Sequence, residues 1–172
     1  CADSADTFIL IRPSEITKKI DVSWSEGDNG GGLSAVAPPS TTTWYHFFII
    51  GKADGTTDAG FDTSITASNL LSGSYAGGAG YTLYRRVGSV YTDATPKITL
   101  FTQIEDNFYW NSVQSSSISA TPPAYPGIDI ALSTPEDVRT RPYLVVRLSG
   151  PTGVVNLSFE DKNSGVAFEV GT

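Results

Sequence analysis

Polar and apolar side chains alternate along residues 16–24. Ile16, Lys18, Ile20, Val22 and Trp24 share one face, and Thr17, Lys19, Asp21 and Ser23 share the other. A period of two marks a half-buried strand. The run from Trp44 to Gly51 is different, being apolar on both faces apart from His46 and the Tyr45 hydroxyl. A short run of this kind is expected as a central strand covered from both sides, as in a sandwich or barrel. Further strands are expected over 7–12, where Pro13 stops the run, and over the return that follows Thr56 and reaches Phe61. Others are expected over 81–91, 97–103, 107–111, 113–118, 128–132, 143–148, 154–159 and 166–170.

Turn chemistry separates these runs. The glycine-rich stretch 27–32 reads as a turn or exposed loop, and 38–43 as an extended connector. Asp54-Gly55 suits a type I′ hairpin turn. Residues 69–80 read as a loop, 93–96 as a turn and 121–127 as a rigid loop. One helical turn or two is expected over 135–141, with Thr134 as its N-cap. The pattern predicts one all-β domain over residues 1–172: an antiparallel β-sandwich or jelly-roll-like fold of roughly ten strands, with at most one short helix.

Composition sharpens this in three ways. Only 17% of residues are charged, while 17 Gly and 10 Pro supply turns, which again favours many short strands. The net charge is −7, and no basic cluster exceeds the pairs Lys18-Lys19 and Arg85-Arg86. That excludes the electrostatic footprint of a nucleic-acid or anionic-membrane binder. The lone Cys1 permits no intrachain disulfide. With no Met in the sequence, the chain is expected to be a piece of something longer or to have lost its first residue.

Candidate chemistry is sparse. His46 is the only histidine; with Cys1 it offers too few ligands for zinc, and no nucleophile elbow accompanies it. A hydrogen-bonded structural histidine is expected. Glu105 and Asp106 are neighbours on opposite faces of an extended chain, so they do not form a glycosidase pair with each other. Asp54, Asp58 and Asp62 do not match calcium-loop spacing and read as hairpin-turn acids. No catalytic residue, metal or cofactor is expected. The candidate ligand-binding residues are Trp110, Tyr109, Asn107 and Asn111, which combine stacking faces with amides, and Arg85 and Arg86. In a strand one arginine of that pair would face inward and need a carboxylate such as Asp21 or Asp62. Tyr75, Tyr81 and Tyr125 lie near Gly/Pro loops and are further candidates for exposed rings.

Five stretches resemble, in matching order, a domain of bacteriophage virion proteins labelled tail fibre, head fibre or structural protein. They are Ile16-Thr-Lys-Lys-Ile-Asp-Val-Ser-Trp24 with the glycine-rich loop to Leu33, Thr43-Trp-Tyr-His46, Asp58-Ala-Gly-Phe-Asp-Thr-Ser64, Arg85-Arg-Val-Gly-Ser-Val90 and Phe101-Thr-Gln-Ile-Glu-Asp-Asn-Phe-Tyr-Trp110. That family tends to carry Gly-Asp before its aromatic segment, where Glu105-Asp106 stands here. The resemblance implies a place on the virion surface and no defined ligand. A fibre or spike module is expected, in a homo-oligomer of three copies, with a host-surface glycan as ligand. The alternative is a capsid-decoration or assembly protein that binds other virion subunits.

Overall fold

The computed structural model describes residues 15–104, 107–112, 134–135 and 138, and the backbone of residues 157–160 and 167–170. They form nine strands and one 3-10 turn, Ala76–Ala79. The strands are β1 Lys19–Ser23, β2 Gly31–Leu33, β3 Trp44–Gly51, β4 Thr57–Asp62, β5 Leu83–Tyr91, β6 Phe101–Ile104, β7 Asn107–Trp110, β8 Leu157–Glu160 and β9 Ala167–Val170. The fold is thus built of strands, with almost no helix. The expected strands at 7–12, 113–118, 128–132 and 143–148 lie outside the described residues, as do the loop 121–127 and most of the helical turn at 135–141.

The chain divides into two compact units, residues 1–140 and 141–172. Within the second, β8 and β9 pair antiparallel from Leu157↔Val170 to Glu160↔Ala167. The first contains a five-stranded sheet in the order β1-β2-β4-β3-β5 and the hairpin β6-β7.

β3 lies between β4 and β5 and pairs antiparallel with both. Its side chains divide by parity. Phe48 and Ile50 pack with Ala67, Leu70, Ala76 and Tyr81, all at most 1% exposed. Tyr45 packs on the other side with Leu33, Phe61 and Val90. Both faces are therefore covered, as the doubly apolar sequence of this strand requires. The cover on the Phe48 side is the segment 63–81, of which residues 69–80 read in sequence as a plain loop. Gly60 lets it approach: a Cβ there would lie 2.7 Å from a methyl carbon of Leu70. Asp62, fully buried, ties the segment down by accepting from Leu70 N (2.7 Å), Ser64 N (2.8 Å) and Asn69 Nδ2 (2.8 Å).

Two expectations are corrected here. The sheet is mixed, since β2 runs parallel to both β1 and β4. Parallel neighbours normally need a long crossover, yet only residues 24–30 join β1 to β2. Residues 27–32 are also not simply an exposed loop, because Gly31 and Gly32 form a buried strand. A Cβ on Gly32 would come within 2.9 Å of the Lys18 Cβ and 3.0 Å of the Phe61 ring, so the residue's smallness permits the packing.

Lys18 holds the tight crossover. Its ammonium donates to the carbonyls of Ser25 (2.7 Å) and Gly27 (2.8 Å) and lies 2.8 Å from Asp58 Oδ1. The Lys18 and Asp58 side chains are 0% and 2% exposed. Asp58 also accepts from Gly27 N at 2.9 Å and Ala59 N at 2.7 Å. Trp24 completes the clasp: its indole N–H reaches Ala59 O at 3.1 Å, and Lys18 Nζ lies 5.3 Å from its ring centre.

Beside the clasp, Glu26 accepts from Lys52 Nζ and the Tyr81 hydroxyl, both at 2.8 Å. The bond to Lys52, then that to Tyr81, hold the Glu26 carboxyl below its ordinary range. Burial, then the bond to Glu26, push the Tyr81 phenol above its ordinary 10.0. A raised phenol pKa keeps its stabilising contribution below the unfolded value and loses it as pH rises through the folded one. Urea unfolding across an alkaline series is therefore expected to show stability falling above about pH 10, with a flatter limb in Tyr81→Phe. The lowered Glu26 carboxyl acts on the acid side: its contribution is present above the unfolded value and lost as pH falls through the folded one.

Candidate functional site

The aromatic hairpin pairs Phe101 with Trp110, Thr102 with Tyr109, Gln103 with Phe108 and Ile104 with Asn107. The alternation gives it two unlike faces. On one, Phe101 and Phe108 stack with ring centres 4.5 Å apart, and Phe108 and Trp110 meet at 4.9 Å. Trp44 lies 5.7 Å from Trp110 and 5.9 Å from Phe108, with Tyr91 against both tryptophans. This cluster joins the hairpin to the end of β3 and β5.

The other face carries Thr102, Ile104, Asn107 and Tyr109, all exposed. Exposed Asn111 joins this group by accepting from Thr102 Oγ1 at 3.2 Å. The candidate set 107, 109, 110 and 111 is thus divided. Tyr109, 55% exposed, stands with the two asparagines, whereas the Trp110 ring is engaged by its aromatic neighbours.

Arg85 and Arg86 are both exposed, which corrects the expectation of one inward arginine. β5 is an outer strand of the sheet among the described residues, and its ladder slips where Phe47 faces Gly88 and Phe48 faces Arg86. Val87 is the extra residue of this bulge, and a bulge re-aims the side chains beside it. Arg86 donates to Ser89 Oγ at 3.2 Å. Asp62 is already committed to the 64–70 segment. The buried cation is Lys18, whose place on the apolar face of the 16–24 pattern was the available signal.

His46 is 1% exposed, and its Nδ1 lies 2.9 Å from Ser89 Oγ. Asp62 faces it across the ladder. The three residue types of a hydrolytic triad thus meet, but all are buried, and Asp62 accepts from backbone and amide donors. Of the three spaced acids only Asp54 is a turn acid, accepting from Thr56 N at 2.9 Å. That bond holds its carboxyl below the ordinary range. Asp58 and Asp62 are strand residues of the interior. Tyr81 likewise is buried rather than exposed, and Tyr75 is half-buried. Among the described residues no group of three His, Cys, Asp or Glu side chains could hold a metal ion.

A groove of about 390 Å³ lies on the Tyr45 side of the sheet. Phe47, Phe61 and Val90 line it together with Ile98, Phe101 and Gln103 of the chain leading into and along β6. Phe47 and Phe61 contact each other with ring centres at 4.8 Å. Most of the lining is apolar, with Thr17, Lys18, Ser89 and Gln103 as its polar members. Comparison with protein-family models, with curated proteins and with solved structures finds no match to any of them.

Proposed function

We propose that the chain is a non-catalytic structural and adhesive module of a bacteriophage virion fibre or spike. Copies of it, three in the expected assembly, pack side by side, and each completes a β-sandwich or jelly-roll-like domain around the mixed sheet. The module sits at the virion surface and meets a host-surface glycan through the outer face of β6–β7. The observation that supports this reading is that face itself: Tyr109 offers a ring, and Asn107, Asn111 and Thr102 offer uncharged hydrogen-bonding groups beside it. Neutral donors and acceptors beside an aromatic ring suit sugar hydroxyls and ring faces. The ordered resemblance of five stretches to phage fibre domains supports the virion setting.

Binding of the intact protein to host-surface polysaccharide, measured by calorimetry, tests it. Tyr109→Ala is expected to weaken affinity about tenfold or more, as for other exposed aromatic anchors. Trp110→Phe, inside the cluster, is expected to change affinity little. Absence of binding to polysaccharide, with binding to other virion subunits, favours a capsid-decoration or assembly protein instead. The exposed Leu100 and Ile104 beside Tyr109 favour that second reading, because apolar side chains serve a protein partner better than a sugar.

A further inference from the structure

We infer that the β5 edge of the large sheet, with the apolar side chains beside it, seats a second copy of this chain head to tail against the acidic edge around β1. The inference rests on the oligomeric reading above and gives that assembly a surface.

Apolar exposure is concentrated in one stretch of the chain, although not on one face: Tyr84 packs beside Phe48, whereas Val87 lines the groove on the Tyr45 side. Nine large apolar side chains are exposed among the described residues, and six of them fall between positions 84 and 109: Tyr84, Val87, Ile98, Leu100, Ile104 and Tyr109. The groove joins part of this set into one region, since Val87 and Ile98 both line it. Gln103 of β6 reaches over β5, its side-chain oxygen 3.1 Å from where a Cβ on Gly88 would sit. Clustering of apolar side chains, rather than their exposure singly, marks an interaction surface.

Charge identifies the occupant. No acidic residue occurs between Asp62 and Asp93, and the only charges in that stretch are Arg85 and Arg86, both exposed on β5. The opposite outer strand is β1. Around it Glu15, Asp21 and Asp28 are exposed against Lys19 alone, because Lys18 is buried on Asp58. A chain of net charge −7 repels its own copies over most orientations. Placing the cationic edge of one copy on the anionic edge of the next reverses that repulsion. Such a contact joins unlike surfaces, so it closes into a ring where the rotation permits.

A rival use of the same residues makes the opposite prediction. Charges on an outer strand often guard it against edge-to-edge association. Sedimentation velocity of the intact protein and of Arg85→Thr/Arg86→Thr separates the two. If the arginines make the contact, the variant associates at least tenfold more weakly than the wild type, and adding salt weakens the wild type too. If they are guards, the variant associates more strongly, and the inference is overturned. Arg85→Glu/Arg86→Glu and Asp21→Arg are each expected to dissociate the assembly, and the chain carrying all three changes to recover it. All these positions are exposed, and unchanged near-ultraviolet dichroism checks the fold. A wild type that sediments as an oligomer while every variant matches it overturns this surface and leaves the oligomeric reading standing. A monomeric wild type overturns both.

Discussion

Lys18→Met is expected to cost about 3–5 kcal/mol of folding stability, in line with breaking one partner of a buried ion pair. Methionine keeps most of the stem that packs against Gly32, so the loss is chiefly that of the ammonium. Three acceptors then lose their donor: Asp58 and the carbonyls of Ser25 and Gly27. The Asp58 carboxylate, 2% exposed, keeps only its backbone donors. The short crossover 24–30 also loses its clasp, so β1 detaches from β2 more readily than the rest of the sheet opens. Urea unfolding should show a lower midpoint with little change of slope. Replacing both partners, as Lys18→Met with Asp58→Leu, should recover part of the loss, because a paired charge removed with its partner leaves nothing buried and unpaired. A single variant within about 1 kcal/mol of the wild type, the usual range of an exposed pair, would mean that the pair is solvated and the crossover is held otherwise.

Leu70→Ala is the second large effect, at about 2–5 kcal/mol. The residue lies in a segment whose regular structure is limited to the 3-10 turn Ala76–Ala79, where substitutions are usually tolerated. Here Leu70 is fully buried against Phe48, Ile50 and Tyr81, and its methyls fill the space above Gly60. Truncation opens a cavity that the rigid sheet below cannot close, so the transfer and cavity costs add. Gly60→Ala tests the same contact from the other side, because its new methyl must displace Leu70. Hydrogen exchange should show the protection of the Leu70 amide, bonded to Asp62, falling with the mutation. A loss below about 0.5 kcal/mol, typical of surface positions, would place the 63–81 segment outside the core.

These two residues also mark how far the sequence could be read. Periodicity and turn chemistry located Trp44–Gly51 to the residue, the β5 strand, the two aromatic strands and the place of the Asp54-Gly55 turn, because each rests on local signals; the type I′ expectation for that turn is corrected, since Gly55 has a positive φ and Asp54 does not. Its two missed features depend on contacts between distant segments. β2 reads as a turn because glycine is the turn residue, and only the Lys18 stem and the Phe61 ring show why glycine is needed there. Residues 69–80 read as a loop because a segment that covers a sheet face needs no period of its own. The division of the aromatic site follows from strand parity, which separates Tyr109 from Trp110 once the face of one is known. The Arg85–Arg86 expectation failed through the bulge at Val87, an insertion that pairing patterns in a single sequence do not reveal.

The central claim is that this chain works as one copy in a closed assembly. Light scattering on the intact protein at micromolar concentration measures that directly. A mass three times that of the chain is the predicted result. The mass of a single chain, unchanged as concentration rises and salt falls, would contradict it.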